Sequence, residues 1–159
     1  MNRRFFITIT TATIPSFAWF SFFDKDDEWK IIKGVQEHFF PKSRRFAGAD
    51  EFGATAYLKF VSKDDSFKRD DLDFLLHGAK KLSLNGFKNS LSYTEKEEIL
   101  RDFEKSNFGE NWLSLLLTYS LEALFSDPIY GGNSKGIGWK NFNHNTGEPR
   151  PKVHFGVLS

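Results

Sequence analysis

A chain of 159 residues has room for one domain and a modest core. Its 22 basic and 21 acidic side chains leave a formal charge of +1. That near-neutral balance lacks the electrostatic footprint of a nucleic-acid binder. The absence of cysteine excludes disulfides, thiolate metal sites, cysteine-ligated iron–sulfur clusters and covalent c-type haem within this chain.

The first element is an address and not a structural segment. Asn2-Arg3-Arg4-Phe5-Phe6 sets paired arginines directly before a moderately apolar run from Ile7 to Phe23. Threonines at 8, 10, 11 and 13 hold that run to moderate hydrophobicity. This order matches a twin-arginine export signal, with Arg3 and Arg4 as its defining residues, and predicts a periplasmic destination. No Ala-x-Ala-like cleavage site appears near Phe17-Ala18-Trp19-Phe20-Ser21. Residues 1–23 therefore read as an export signal or a retained N-terminal anchor. As a helix, residues 5–23 would reach about 28 Å, barely the hydrocarbon thickness, and Pro15 would kink it. An ordinary buried N-terminal segment is the plain alternative.

Residues 24–126 read as one helical domain. Acidic Asp26, Asp27 and Glu28 suit a first helical turn. Trp29, Ile32, Val35, Phe39 and Phe40 then recur at helical spacing until Pro41 stops the run. Residues 55–61 are ambiguous between strand and helix, and helix is preferred. Leu72, Leu75, Leu76, Ala79 and Leu82 share one face of a helix over residues 69–87. Thr94 with Glu97 forms a capping-box pattern for the next helix, whose apolar side is Ile99, Leu100 and Phe103. Gly109 introduces the last helix, from Glu110 to Phe125. That helix is apolar nearly all round except for Ser114, Thr118 and Glu122, and so is expected at the centre of the bundle.

Residues 127–159 form a distinct tail. Six of the twelve glycines and three of the five prolines fall in residues 126–159. Each ordered glycine costs extra backbone entropy, so such a tail is poorly suited to building a core alone. It reads as a segment laid over something, with Tyr130, Trp139 and Phe142 as anchors. The alternative is a Gly-rich surface tail packed on its own helices. The fold predicted from these elements is mainly α: a small irregular helical bundle with a Gly/Pro-rich extended C-terminal tail.

Asp127-Pro128-Ile129-Tyr130-Gly131-Gly132-Asn133, then Gly136, Gly138, Trp139, Gly147 and Pro149, carry a family resemblance. The ordered set is similar to the C-terminal signature of the gluconate 2-dehydrogenase subunit 3 family. It is sharp over residues 124–151 and looser upstream. The resemblance implies a small subunit that accompanies a large FAD-dependent dehydrogenase and often a multihaem cytochrome c. It places FAD in the partner, with haem c possible in a third subunit. On this reading Asp127, Pro128, Tyr130, Gly131, Gly132, Asn133, Gly138 and Trp139 form the partner interface, and the chain passes through the twin-arginine machinery.

The catalytic inventory is thin. His38, His77, His144 and His154 lack metal-ligand spacing, and His77, beside an apolar stripe, reads as a structural histidine. Asp70, Asp71 and Asp73, like Glu95, Glu97 and Glu98, read as solvated, dipole-favoured faces near helix starts. The Asn133-Ser134-Lys135-Gly136 run lacks the Gly-Lys-Ser/Thr order of a phosphate loop, and no helix pattern follows it. No nucleophile elbow or dinucleotide fingerprint is present. The sequence therefore predicts no catalytic, cofactor-binding or metal residues of its own. Its 19 phenylalanines exceed what so small a bundle can hide, and exposed rings marking an interface are expected. An independent periplasmic binding or structural module without a flavoprotein partner is the competing reading, and a transient chaperone role stays open.

Overall fold

A computed structural model of the chain describes residues 25–147 and 149. Arg3, Arg4 and the rest of the N-terminal signal reading lie outside the described residues, as does His154. Among the described residues there are seven α-helices and no strand. They are α1 (Lys25–Phe39), α2 (Ala49–Phe52), α3 (Ala54–Val61), α4 (Arg69–Leu84), α5 (Tyr93–Glu104), α6 (Asn107–Phe125) and α7 (Ile137–Asn141). Two 3-10 turns, Pro128–Tyr130 and Ser134–Gly136, lie between α6 and α7. No helix of the described residues is long and apolar enough to cross a membrane.

Local chemistry accounts for most boundaries. α1 stops at Phe39 because Pro41 lacks an N–H and disfavours helical backbone at Phe40. α2 and α3 are separated by Gly53 alone, whose φ of 78° ends one helix and begins the next. The segment left ambiguous by sequence is thus helical.

Two expected helix starts shift. The capping box of α5 is Ser92 with Glu95, not Thr94 with Glu97: the Glu95 carboxylate accepts from the Ser92 N–H at 2.8 Å. Glu97 is instead drawn to His38. α6 begins at Asn107 rather than Glu110, because Ser106 Oγ accepts the Gly109 N–H at 3.0 Å and serves as its N-cap. Gly109 lies inside the first turn, where a Cβ would overlap the Phe103 carbonyl.

α6 touches every other helix. One core cluster gathers Ile32, Val35, Leu75, Leu82, Phe87 and Trp112 with their neighbours from α1, α4, α5 and α6. The predicted α4 stripe holds, with Leu75, Ala79 and Leu82 buried and Leu72 and Leu76 half-buried. A second cluster joins Phe52, Ala54 and Tyr57 to Ala123 and Leu124 near the end of α6. Between α1, α3 and α6 runs a buried polar seam. Thr55 Oγ1 donates to Gln36 Oε1 at 2.7 Å, and Gln36 Nε2 donates to Ser120 Oγ at 3.1 Å. Ser120 Oγ in turn donates to the Leu116 carbonyl, so every member is satisfied and the helices are held in register.

The central position expected for α6 is observed, with one departure. Ser114, Thr118 and Glu122 are exposed as the pattern required, but Leu117, Leu121 and Phe125 are exposed as well. The bundle covers only one side of this helix.

Candidate functional site

The Gly-rich signature begins where α6 runs out of hydrogen-bond donors. A helix ends with carbonyls that have no intrahelical partner. Here the tail supplies donors for two of them. Asn133 Nδ2 donates to the Ser126 carbonyl at 2.9 Å, and Trp139 Nε1 donates to the Phe125 carbonyl at 2.8 Å. Asn133 Oδ1 accepts the Gly138 N–H at 2.8 Å and closes the loop on itself. Asn133 is fully buried with φ 44° and ψ 46°, a left-handed conformation that asparagine tolerates. Gly132 and Gly138 lie flat on α6: a Cβ on Gly132 would stand 2.6 Å from the Ala123 carbonyl, and one on Gly138 would overlap that of Leu124.

The tail is therefore wound into turns and a short helix through Asn141, and its Gly-rich run packs on its own bundle. The sequence expectation that no helix follows Asn133–Gly136 is corrected by α7. This run does not fit a dinucleotide or phosphate group. Its Gly136 and Gly138 N–H groups are already committed to Asn133, and Gly132 and Gly138 face the backbone of α6.

The eight residues expected at a partner interface divide into two sets. Gly132, Asn133, Gly138 and Trp139 are buried within the chain, Trp139 with only 8% of its surface exposed. Asp127, Pro128 and Tyr130 are half-buried and Gly131 is exposed. Asp127 Oδ1 caps the Pro128–Tyr130 turn by accepting the Ile129 N–H, and Gly131, at φ 84°, closes it.

Of that outward set, Tyr130 lines a groove of about 1010 Å³. Tyr57, Phe60 and Val61 of α3, the α3–α4 connection, Asp71, and Leu115, Tyr119 and Glu122 of α6 complete it, with Tyr130 from the tail. Two phenols are fixed in it. Tyr119 donates to Asp71 Oδ2 at 2.8 Å, and Tyr57 donates to Glu122 Oε2 at 3.3 Å. Burial, with the charge of Glu122, pushes Tyr57 up to about 12. Burial and the Asp71 hydrogen bond raise Tyr119 beyond the ordinary tyrosine range. Both phenols are protonated hydrogen-bond donors at neutral pH. Asp71, expected on a solvated face, is one of these acceptors.

On another side of α6, Leu117, Leu121 and Phe125 stand 39%, 40% and 43% exposed at four-residue spacing. They continue into Phe142 and Phe46, whose rings pack in series in tilted contacts: Phe125 to Phe142 at 5.1 Å and Phe142 to Phe46 at 5.5 Å. Phe142 thus belongs to a surface cluster of exposed rings.

At the far end of this ridge is a small groove of about 370 Å³ beside His38. His38 Nε2 donates to Glu97 Oε2 at 2.7 Å, and Arg101 pairs with the other oxygen at 2.7 Å. Tyr93 stacks on the His38 ring at a centroid distance of 4.2 Å. In the sequence His38 is one of four scattered histidines, and its partner Glu97 is 59 residues away. His77, read as a structural histidine, is exposed with its ring edge on Phe108, and His144 is exposed in the tail. Among the described residues no three His, Asp or Glu side chains gather as metal ligands.

A family model described as gluconate 2-dehydrogenase subunit 3 matches residues 26–147, from α1 through the Gly-rich signature. No curated protein and no solved structure matches the chain.

Proposed function

This chain belongs to the gluconate 2-dehydrogenase subunit 3 family, and we propose that it is the non-catalytic small subunit of an exported FAD-dependent sugar or sugar-acid dehydrogenase. FAD resides in the large partner, and a haem c subunit is the third component of such a complex. The family match over α1–α7 carries this reading, because it spans both the helical domain and the tail signature. The small subunit stabilises the flavoprotein by burying shared surface. The outward residues Asp127, Pro128, Tyr130 and Gly131 contact it beside the large groove, while Gly132, Asn133, Gly138 and Trp139 support them from within.

Arg3 and Arg4 carry the folded, cofactor-loaded partner through the twin-arginine machinery to the periplasm, where the complex associates with the cytoplasmic membrane. The test is recovery of a tagged copy from the native membrane fraction in mild detergent, with flavin absorbance and identification of co-eluting chains. A stoichiometric flavoprotein is the expected result. A colourless, solitary protein would overturn the stable-subunit reading.

A further inference from the structure

The ridge along α6 is poorly explained by the fold itself. Ser114 and Thr118, on the same helix, show that polar residues are accommodated outside the core. Leu117, Leu121, Phe125, Phe142 and Phe46 nevertheless keep large apolar groups in water, at exposures from 39% to 52%. A contiguous apolar patch of this kind marks a binding surface more often than isolated exposed residues do.

The charges at one end of the ridge are equally specific. Arg44 and Arg45 directly precede Phe46, and Lys140 lies two residues before Phe142; all three are exposed. None of them makes an ion pair among the described residues. Neighbouring cations are neutralised: Lys42 pairs with Glu51 at 2.6 Å, and Lys33 with Glu37 and Asp50. The aromatic end of the ridge is thus apolar at its centre and uncompensated positive at its rim.

Resting on the subunit reading above, we propose that this ridge docks on the large dehydrogenase subunit, on an apolar surface with acidic side chains facing Arg44, Arg45 and Lys140. The tilted, mutually packed rings fill the desolvated centre, where binding energy concentrates. The three cations at the rim set orientation and speed association. The groove at Tyr130 then serves as a second, separate contact on another side of α6.

The test co-expresses the intact complex with tagged wild-type, L121S/F125S, R44E/R45E and L84S small subunits. Leu84, exposed at the end of α4, is the off-ridge control. Co-purified flavoprotein is identified by mass spectrometry and quantified by flavin absorbance, and circular dichroism checks folding of each variant. L121S/F125S is expected to reduce recovered flavoprotein at least about tenfold, with L84S unchanged. R44E/R45E, at surface positions outside the core, is expected to lower recovery at low salt and to weaken the salt dependence.

Equal recovery with wild type and both ridge variants would overturn the ridge proposal and leave the subunit reading standing. Wild-type protein that captures no flavoprotein would overturn both. A wild-type homodimer by light scattering that L121S/F125S dissolves would assign the ridge to a second copy and overturn the proposal. Loss with L121S/F125S but unchanged binding of R44E/R45E at every salt concentration would overturn the acidic rim.

Discussion

The side chain of Asn133 and the backbone of Gly138 are joined by a 2.8 Å hydrogen bond, made inside the fold and on top of the last turn of α6. The same side chain donates to the Ser126 carbonyl, so one amide ties the end of the long helix to the start of the short one. Replacing it with alanine strands the buried Gly138 N–H and the part-buried Ser126 carbonyl. Asn133→Ala is expected to cost about 2–4 kcal/mol, from two unmet groups at roughly 1–3 kcal/mol each and incomplete additivity. Chemical denaturation of the purified chain checks this. A cost within about 0.5 kcal/mol, the range of an ordinary surface change, would contradict the clamp.

Trp139 separates a structural from a contact role for the tail. Its ring is buried on this chain and its Nε1–H is bonded to the Phe125 carbonyl. Trp139→Phe keeps most of the packing and loses the hydrogen bond, at about 1 kcal/mol. Trp139→Ala also leaves a cavity, at about 3–5 kcal/mol. Any loss of complex with Trp139→Ala is therefore expected to follow a lower melting temperature of the free chain. Loss of complex with unchanged melting would make the tryptophan a direct contact instead.

How much of this was legible in the sequence follows from how local each cause is. The α4 stripe of Leu75, Ala79 and Leu82 and the stop at Pro41 depend on neighbours within a turn or two, and the pattern located them. The α5 start did not yield to the same reasoning, because Ser92 with Glu95 and Thr94 with Glu97 both spell a capping box. What decides between them is His38, distant in sequence, which engages Glu97. The tail posed a similar problem. Its glycines mark close approach of backbone, but not whether the approached surface is a partner or the chain's own helix. The open carbonyls at the end of α6 settle that for Asn133 and Trp139. The exposed edge of α6 was hidden for another reason: apolar residues all round a helix predict burial and do not say what provides the cover.

The His38–Glu97 pair gives the fold an acid-sensitive contact. The hydrogen bond from His38, opposed by partial burial and helped by the charge of Arg101, holds the Glu97 carboxyl below its ordinary value near 4.5. A carboxyl whose folded value is depressed stabilises the fold above its ordinary value. That contribution is lost as pH falls through the folded value. Glu97→Gln is expected to melt lower than wild type at pH 7, with the difference shrinking below about pH 4.5. Melting curves from pH 7 to pH 3 test it. An equal deficit at both ends would mean the residue acts through packing alone.

Gly78 offers a prediction whose sign opposes simple helix propensity. In an exposed helix, Gly→Ala gains roughly 0.5–1 kcal/mol by reducing the entropy lost on folding. Gly78 is buried in α4, and a Cβ there would overlap the five-membered ring of Trp112. That ring cannot retreat freely, because Trp112 is fully buried and its Nε1–H donates to the Leu75 carbonyl at 2.9 Å. Overpacking of such a site costs about 1–3 kcal/mol, which exceeds the propensity gain. Gly78→Ala is therefore expected to lower stability, and Gly78→Ala combined with Trp112→Phe to recover part of the loss by making room for the methyl group. Denaturation of the two variants and of Trp112→Phe alone completes a double-mutant cycle. A stabilised Gly78→Ala would show that α4 and α6 do not approach as closely as the glycine implies.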